Sequence, residues 1–276
     1  MSGLDSHTQS LNHAHTSAPA ALITGASMGL GLGLATLFAR DGYRLVLVAR
    51  SHDRLTAVGD ELHSRYGVQV KVLAKDLASS NAAEEIVQAL RSEMISVDVL
   101  VNNAGFGSNG PFAESDPADQ LAMIQVNVTA LTHLTRLLLP DMIRRKTGRI
   151  MNVASTAAFF PGPMMAVYYA SKAYVLSFSQ ALSEELRGTG VTVTALCPGP
   201  TRTGFQARAG TSDSAVGKGM LMMNAESVAA AGYRDLMKGK RVSVPGFLNK
   251  LSIITARLTP TSVVMRILRI LHGTSE

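Results

Sequence analysis

The chain has little to cross-link it. It carries one cysteine, Cys197, in 276 residues. That excludes an internal disulfide framework and a zinc site built from Cys pairs, and it favours a reducing compartment. Charged residues make up only 17% of the sequence against 46% hydrophobic. That balance excludes a disordered polyelectrolyte and supplies a large core. No 20–50-residue repeat is present, so a solenoid is excluded. The first eighteen residues have neither a basic start nor an apolar run, so the sequence predicts a polar disordered tail and no secretory signal. His7, His13 and His15 in that tail are read as part of it, and no metal site is expected. The uncharged stretch Ile150–Ser171 contains Asn152, Ser155, Pro161, Gly162 and Pro163, which argue against a membrane span and for a strand, a loop and a helix start.

The formal excess of six positive charges is confined to one end. Residues 234–276 hold eight Lys or Arg against Asp235 and Glu276, and the rest of the chain is balanced. This is a local electrostatic feature, not a whole-surface one. Leu251–Leu258 and Val263–Leu271 are apolar, with Arg257, Arg266 and Arg269 between them. A helix docked on the body with a solvated basic face is the favoured reading. Membrane contact through this tail is the alternative.

Strand-like and helix-like patterns alternate along the rest. Strands are predicted at Ala20–Thr24, Arg44–Ala49, Val68–Ala74, Val97–Asn102, Arg149–Ala154 and Val191–Cys197. Helices are predicted at Gly29–Asp41, Asp53–Tyr66, Asn81–Glu93, Asp119–Arg145 as one long unit, and Met165–Arg187. The pattern implies βαβ crossovers, hence an α/β doubly wound parallel sheet of Rossmann-like type. The expected organisation is a tail at 1–18, a domain at 19–250 with a lid at about 204–224, and a basic amphipathic extension at 251–276.

Thr24-Gly25-Ala26-Ser27-Met28-Gly29-Leu30-Gly31 joins the first strand to the first helix. Gly25 suits a tight exit, Gly29 a close approach of backbone to pyrophosphate, and Gly31 close packing of helix on sheet. A glycine-rich turn that only packs a helix is the plainer account. The second strand ends Val48-Ala49-Arg50, with no acid to bond a ribose 2′-hydroxyl. Arg50 can instead pair with a 2′-phosphate, and Ser27 can add a hydroxyl; an ordinary surface arginine is the alternative.

Tyr168 and Lys172 stand four apart on a predicted helix, so both reach one face. An ammonium there is expected to lower the phenol's pKa and fit Tyr168 for general acid–base work. Tyr169 points elsewhere round the helix. Ser155 follows a strand, where a hydroxyl can hold a substrate oxygen. Asn102–Gly105 end another strand, with small residues leaving room for adenosine or ribose. Asn127 lies mid-helix, where a buried amide needs partners.

These motifs, with Asp76 and with Pro198-Gly199 and Thr203, stand in an order and spacing that resemble the short-chain dehydrogenase/reductase family, in its compact, non-extended branch. The resemblance covers about Ala20 to Phe205. It implies that Tyr168 exchanges the proton, Ser155 positions the carbonyl, Lys172 binds the nicotinamide ribose and tunes Tyr168, and Asn127 holds a relay water. By the same resemblance Asp76 contacts adenine, Asn103, Ala104 and Gly105 line the adenosine side, and Pro198, Gly199 and Thr203 line the nicotinamide amide. Leu30 and Leu77 join the cofactor-contacting set. Val48-Ala49-Arg50 is similar to NADP-preferring members. Met28 departs from those with a basic residue in the loop, leaving Arg50 as the main 2′-phosphate ligand.

The expected function is NADP(H)-dependent hydride transfer to or from a carbonyl or secondary alcohol. Phe159, Phe160, Met164 and Met165, with Met220, Leu221, Met222 and Met223, suggest an apolar pocket; core packing or an oligomer contact is the other account. A homodimer or homotetramer in the cytoplasm is expected, without nucleic-acid partners. A non-catalytic NADP(H)-binding redox sensor is the alternative function.

Overall fold

The computed structural model describes residues 18–210 and 222–272. Strands β1 (Ala20–Thr24), β2 (Arg44–Ala49), β3 (Val70–Ala74), β4 (Val97–Asn102), β5 (Gly148–Val153) and β6 (Val191–Leu196) form one sheet with the two-residue strand β9 (Val242–Ser243). The order is β3-β2-β1-β4-β5-β6-β9, and every pair is parallel. A second, two-stranded ribbon pairs β7 (Thr201–Arg202) with β8 (Met223–Asn224). The sheet is the doubly wound α/β arrangement expected. Its order reverses between β1 and β4, which opens a crevice at the strands' carboxyl ends.

Period-two alternation divides the apolar side chains between two cores. Ala21, Ile23, Leu45, Leu47, Val99, Val101 and Met151 face helices α1 (Gly29–Arg40), α2 (His52–Tyr66) and α8 (Ala225–Met237). Leu22, Val46, Val48, Leu100, Ile150 and Val193 face α3 (Ala82–Ser92), α5 (Leu131–Arg145) and α6 (Ala166–Glu185). Every residue of β1 is buried, as a strand covered on both faces requires.

The single helix expected at 119–145 is three pieces. α4 (Pro117–Ile124) starts two residues earlier, because the Asp116 carboxylate accepts from the Ala118 N–H and Pro117 occupies the first helical turn. A π-helical turn, Gln125–Ala130, then precedes α5. Strands β7, β8 and β9 are two residues each, too short to carry an alternation. A short helix α7 (Phe205–Ala209) follows β7, and α9 (Phe247–Leu258) and α10 (Thr261–His272) end the described chain. The expected lid at 204–224 is described only at 204–210 and 222–224; Met220 and Leu221 lie outside the described residues. So does nearly all of the expected tail at 1–18.

Candidate active site

The carboxyl ends of β1 and β4 are stitched together. The Thr24 hydroxyl donates to the Val101 carbonyl at 3.3 Å and accepts from the N–H groups of Asn103 and Ala104, both at 3.0 Å. The Asn103 side-chain amide donates to the Thr24 and Gly25 carbonyls at 2.9 and 3.1 Å. Asn103 thus spends its amide on the glycine loop, leaving Ala104 and Gly105 as the small residues beside it.

Gly25 and Gly29 both adopt positive φ, +65° and +56°, a region strained for residues with a Cβ. A Cβ on Gly31 would lie 2.1 Å from the Gly25 carbonyl oxygen. The loop therefore folds tightly onto the start of α1. That helix has no side-chain cap and no acid in its first turn. Its first N–H groups are left for an anion, with the helix dipole behind them. Leu30 is buried under this turn, and Ser27 is half-buried in it. Thr203 closes on the loop from the other side, its side chain within 3.1 Å of where a Gly29 Cβ would stand.

Arg50, just beyond β2, is exposed and has no ion-pair partner among the described residues. Asp76, beyond β3, is exposed, and its carboxylate accepts from the Ala78 N–H at 3.0 Å. Leu77 beside it is buried.

Ser155 caps a 3-10 turn, Thr156–Phe159, at the end of β5. Its hydroxyl accepts from the Ala157 N–H at 3.1 Å, donates to the Pro198 carbonyl at 3.5 Å, and stands near enough to the Tyr168 phenol to favour its ionised form. The loop after β6 is pinned beside it: the Thr156 N–H donates to the Pro198 carbonyl at 2.9 Å, and Thr201 donates to the Gly199 carbonyl at 2.8 Å. Lys172, one turn beyond Tyr168, donates to the Val153 carbonyl at 2.9 Å, with Nζ 5.8 Å from the centre of the Tyr168 ring.

Burial withdraws the Tyr168 phenol from water and pushes its pKa up to about 12, with the nearby Ser155 hydroxyl acting against it. Burial also pulls Lys172 down to about 8. The expected lowering of the phenol by the ammonium is not seen: burial dominates the phenol, and Lys172 directs its hydrogen bond at a backbone carbonyl. Tyr169 is buried, packed under Gly162 and beside Phe160.

Asn127 is held by three hydrogen bonds. Its Oδ1 accepts from the Phe106 N–H at 3.1 Å, and its Nδ2 donates to the Phe106 carbonyl at 2.9 Å and to Ser171 Oγ at 3.0 Å. Ser171 in turn donates to the Tyr168 carbonyl at 2.7 Å. Asn127 therefore ties the loop after β4 to the helix that carries Tyr168. A Cβ on Gly105 would fall 2.9 Å from Asn127 Oδ1 and 3.3 Å from Lys172 Nζ, so Gly105 lets both groups border the same space. Thr24 and Ser171 lie inside motifs read from the sequence, but no role for their hydroxyls follows from it, and nothing in it marks Phe106.

Met165, Phe160, Phe205, Ala209, Tyr169 and Leu268 of α10 gather around Tyr168. Phe159 does not join them; it packs toward Leu131 and Val175, with the Arg257 guanidinium over its ring. Met223 instead lies against Gly246 and Asn249. Of the expected apolar set, Phe160 and Met165 are therefore the ones that share a cluster with Tyr168.

A reversing parallel sheet, an uncapped helix start and a Ser–Tyr–Lys set at one crevice define a dinucleotide-binding α/β protein. The chain belongs to the short chain dehydrogenase family, whose model matches residues 19–213. The very-long-chain 3-oxoacyl-CoA reductase of Bos taurus is 35% identical over 182 residues, covering 64% of this chain and 58% of that protein. This chain thus spans little more than half the length of such relatives. The ketoacyl reductase HetN of Nostoc sp. is 34% identical over 252 residues, covering 88% of this chain and 85% of that one. A short-chain dehydrogenase from Sphingobium yanoikuyae, solved with NADPH, aligns with a TM-score of 0.78 at 34% identity, over 87% of this chain and 94% of that one.

Proposed function

We propose that this chain is an NADP(H)-dependent oxidoreductase that interconverts a carbonyl and a secondary alcohol on an apolar substrate, with Tyr168 as general acid and base. The observation that carries it is the buried phenol of Tyr168, with Ser155 near it and Lys172 one turn later, at the crevice that the glycine loop borders. The residues present fit a nicotinamide dinucleotide. The free N–H groups of α1 suit its pyrophosphate, Gly25, Gly29 and Gly31 remove the side chains that would block it, and unpaired Arg50 suits a 2′-phosphate. Asp76, Leu77, Asn103, Ala104 and Gly105 border the adenosine side, and Pro198, Gly199 and Thr203 the nicotinamide side. When bound, the nicotinamide supplies or accepts the hydride.

The chain's own work is binding, orientation and proton transfer. Ser155 donates to the substrate oxygen and holds it beside the phenol. Tyr168 is protonated at neutral pH, since its pKa is pushed up to about 12; it is therefore ready to donate as the carbonyl oxygen gains charge. Lys172 stays cationic below about pH 8 and favours the phenolate left behind. Asn127 fixes the start of α6 through Ser171 and reaches the space shared with Lys172, where a relay water is suited. Met165, Phe160, Phe205 and Leu268 give the substrate side an apolar wall; the Bos taurus and Nostoc relatives carry names for reductases of acyl ketones, which agrees with it.

The test is an NADPH-oxidation screen over ketones graded in chain length, with NADH in parallel and Tyr168→Phe as control. Turnover of apolar ketones that Tyr168→Phe abolishes supports the reading. Cofactor binding with no turnover of any carbonyl favours the redox-sensor alternative.

A further inference from the structure

The two terminal helices are dressed in a way that the core does not explain. α9 buries Ile253 alone. By the 100° step of an α-helix, Phe247, Leu248, Leu251, Ile254 and Leu258 share the face opposite Asn249 and Ile253. All five are exposed, Phe247 by 77% and Leu258 by 82%. α10 turns Val264 and Leu268 inward and leaves Val263, Ile267 and Ile270 exposed along one line. A docked helix with a merely basic outer face was expected; the outer faces are apolar as well.

Charge says what fits there. Lys250 and Arg257 lie along one side of the apolar stripe of α9, and Arg266 and Arg269 along one side of that of α10. All four are exposed, and none has an acidic partner among the described residues. The span 247–272 contains no Asp or Glu. Two copies of this chain joined through this patch by a two-fold axis would set cations against cations. A nucleic acid would match the cations and leave the apolar side chains unrewarded. An anionic bilayer surface satisfies both, taking the stripe into its headgroup boundary with the cations at the phosphates. Among the described residues no helix is long and apolar enough to cross a membrane, so the contact is with a surface.

We infer that α9 and α10 form a peripheral docking face for anionic lipid bilayers. The face adjoins the site, because Leu268 packs in the cluster that holds Tyr168. It does not depend on the chemistry proposed for Tyr168.

The full chain is to be sedimented with sucrose-loaded vesicles of phosphatidylcholine alone and of phosphatidylcholine with a quarter phosphatidylglycerol. Selective pelleting with the anionic vesicles, weakened by salt, is expected. Arg266→Glu/Arg269→Glu and, separately, Leu251→Ser/Ile254→Ser should each weaken it at least about tenfold, with the thermal unfolding midpoint unchanged. All four of those side chains are exposed, so folding is spared. The inference is overturned by no pelleting with either vesicle, by equal pelleting with both, or by binding that neither variant alters. It is also overturned if Leu251→Ser/Ile254→Ser halves the mass in light scattering of a chain that binds no vesicles, which would assign the face to a second copy.

Discussion

Lys172 donates its hydrogen bond to the Val153 carbonyl at 2.9 Å, and so a charge is buried at the end of β5 with only a backbone oxygen to receive it. The side chain is 5% exposed, and burial lowers its pKa to about 8 from 10.5. The folded protein therefore holds fewer protons than the unfolded chain between those values, and stability rises with pH across that window. Below about pH 8 the whole penalty is present. Lys172→Met is expected to be more stable than the parent at neutral pH, by about 1–3 kcal/mol, and inactive. The gap should close as pH rises toward 10.5. Denaturant unfolding of both proteins at pH 7 and pH 10 checks it.

Tyr168→Phe keeps the ring that packs on Phe205, with ring centres 5.2 Å apart, and removes only the hydroxyl. Turnover is expected to fall by about 10²–10⁴ while NADPH affinity stays within about twofold. Steady-state rates paired with fluorescence titration of NADPH separate the two effects. Matching losses in both would assign the phenol to binding.

Arg50 is exposed at the end of β2 and has no ion-pair partner among the described residues. Arg50→Ala should raise KM for NADPH by roughly 10–100-fold, the worth of a charge-assisted hydrogen bond, and leave KM for NADH nearly unchanged. An equal effect on both cofactors would remove the 2′-phosphate role.

Thr24 supports the loop and touches no reacting atom in the reading above. Thr24→Val keeps the shape and strands the N–H groups of Asn103 and Ala104. A loss of about 1–3 kcal/mol of stability is expected, together with a higher KM for NADPH and little change in kcat. Thr24→Ser should restore both. Chemical unfolding and cofactor titration test this pair.

Six of the seven strands of the sheet were legible because their signals are local; β9, two residues long, was not. β1 and β2 are continuous apolar runs, and α1 and α2 have 3.6-residue stripes; each can be read within one window of sequence. The break of the expected 119–145 helix at Gln125–Ala130 was not legible. No glycine interrupts that turn, and what Asn127 gains there is a partner, Phe106, that lies 21 residues earlier. Thr24 shows the same limit: its hydroxyl acts on groups 77 to 80 residues away.

Sequence alone determined the alternation of the first six strands with the helices between them, the glycine loop, and the choice of Ser155, Tyr168 and Lys172 as candidates, since each rests on residue type and short spacing. Only the tertiary structure decided the protonation of the pair and the exposure of the terminal helices. The ammonium expected to acidify Tyr168 is itself desolvated, and that penalty depends on the walls that β5 and α6 build around both groups. An amphipathic helix has two faces of opposite character, and which one meets the protein is settled by what the body presents to it. For α9 that was a narrow seat for Ile253, so the apolar stripe was left facing out.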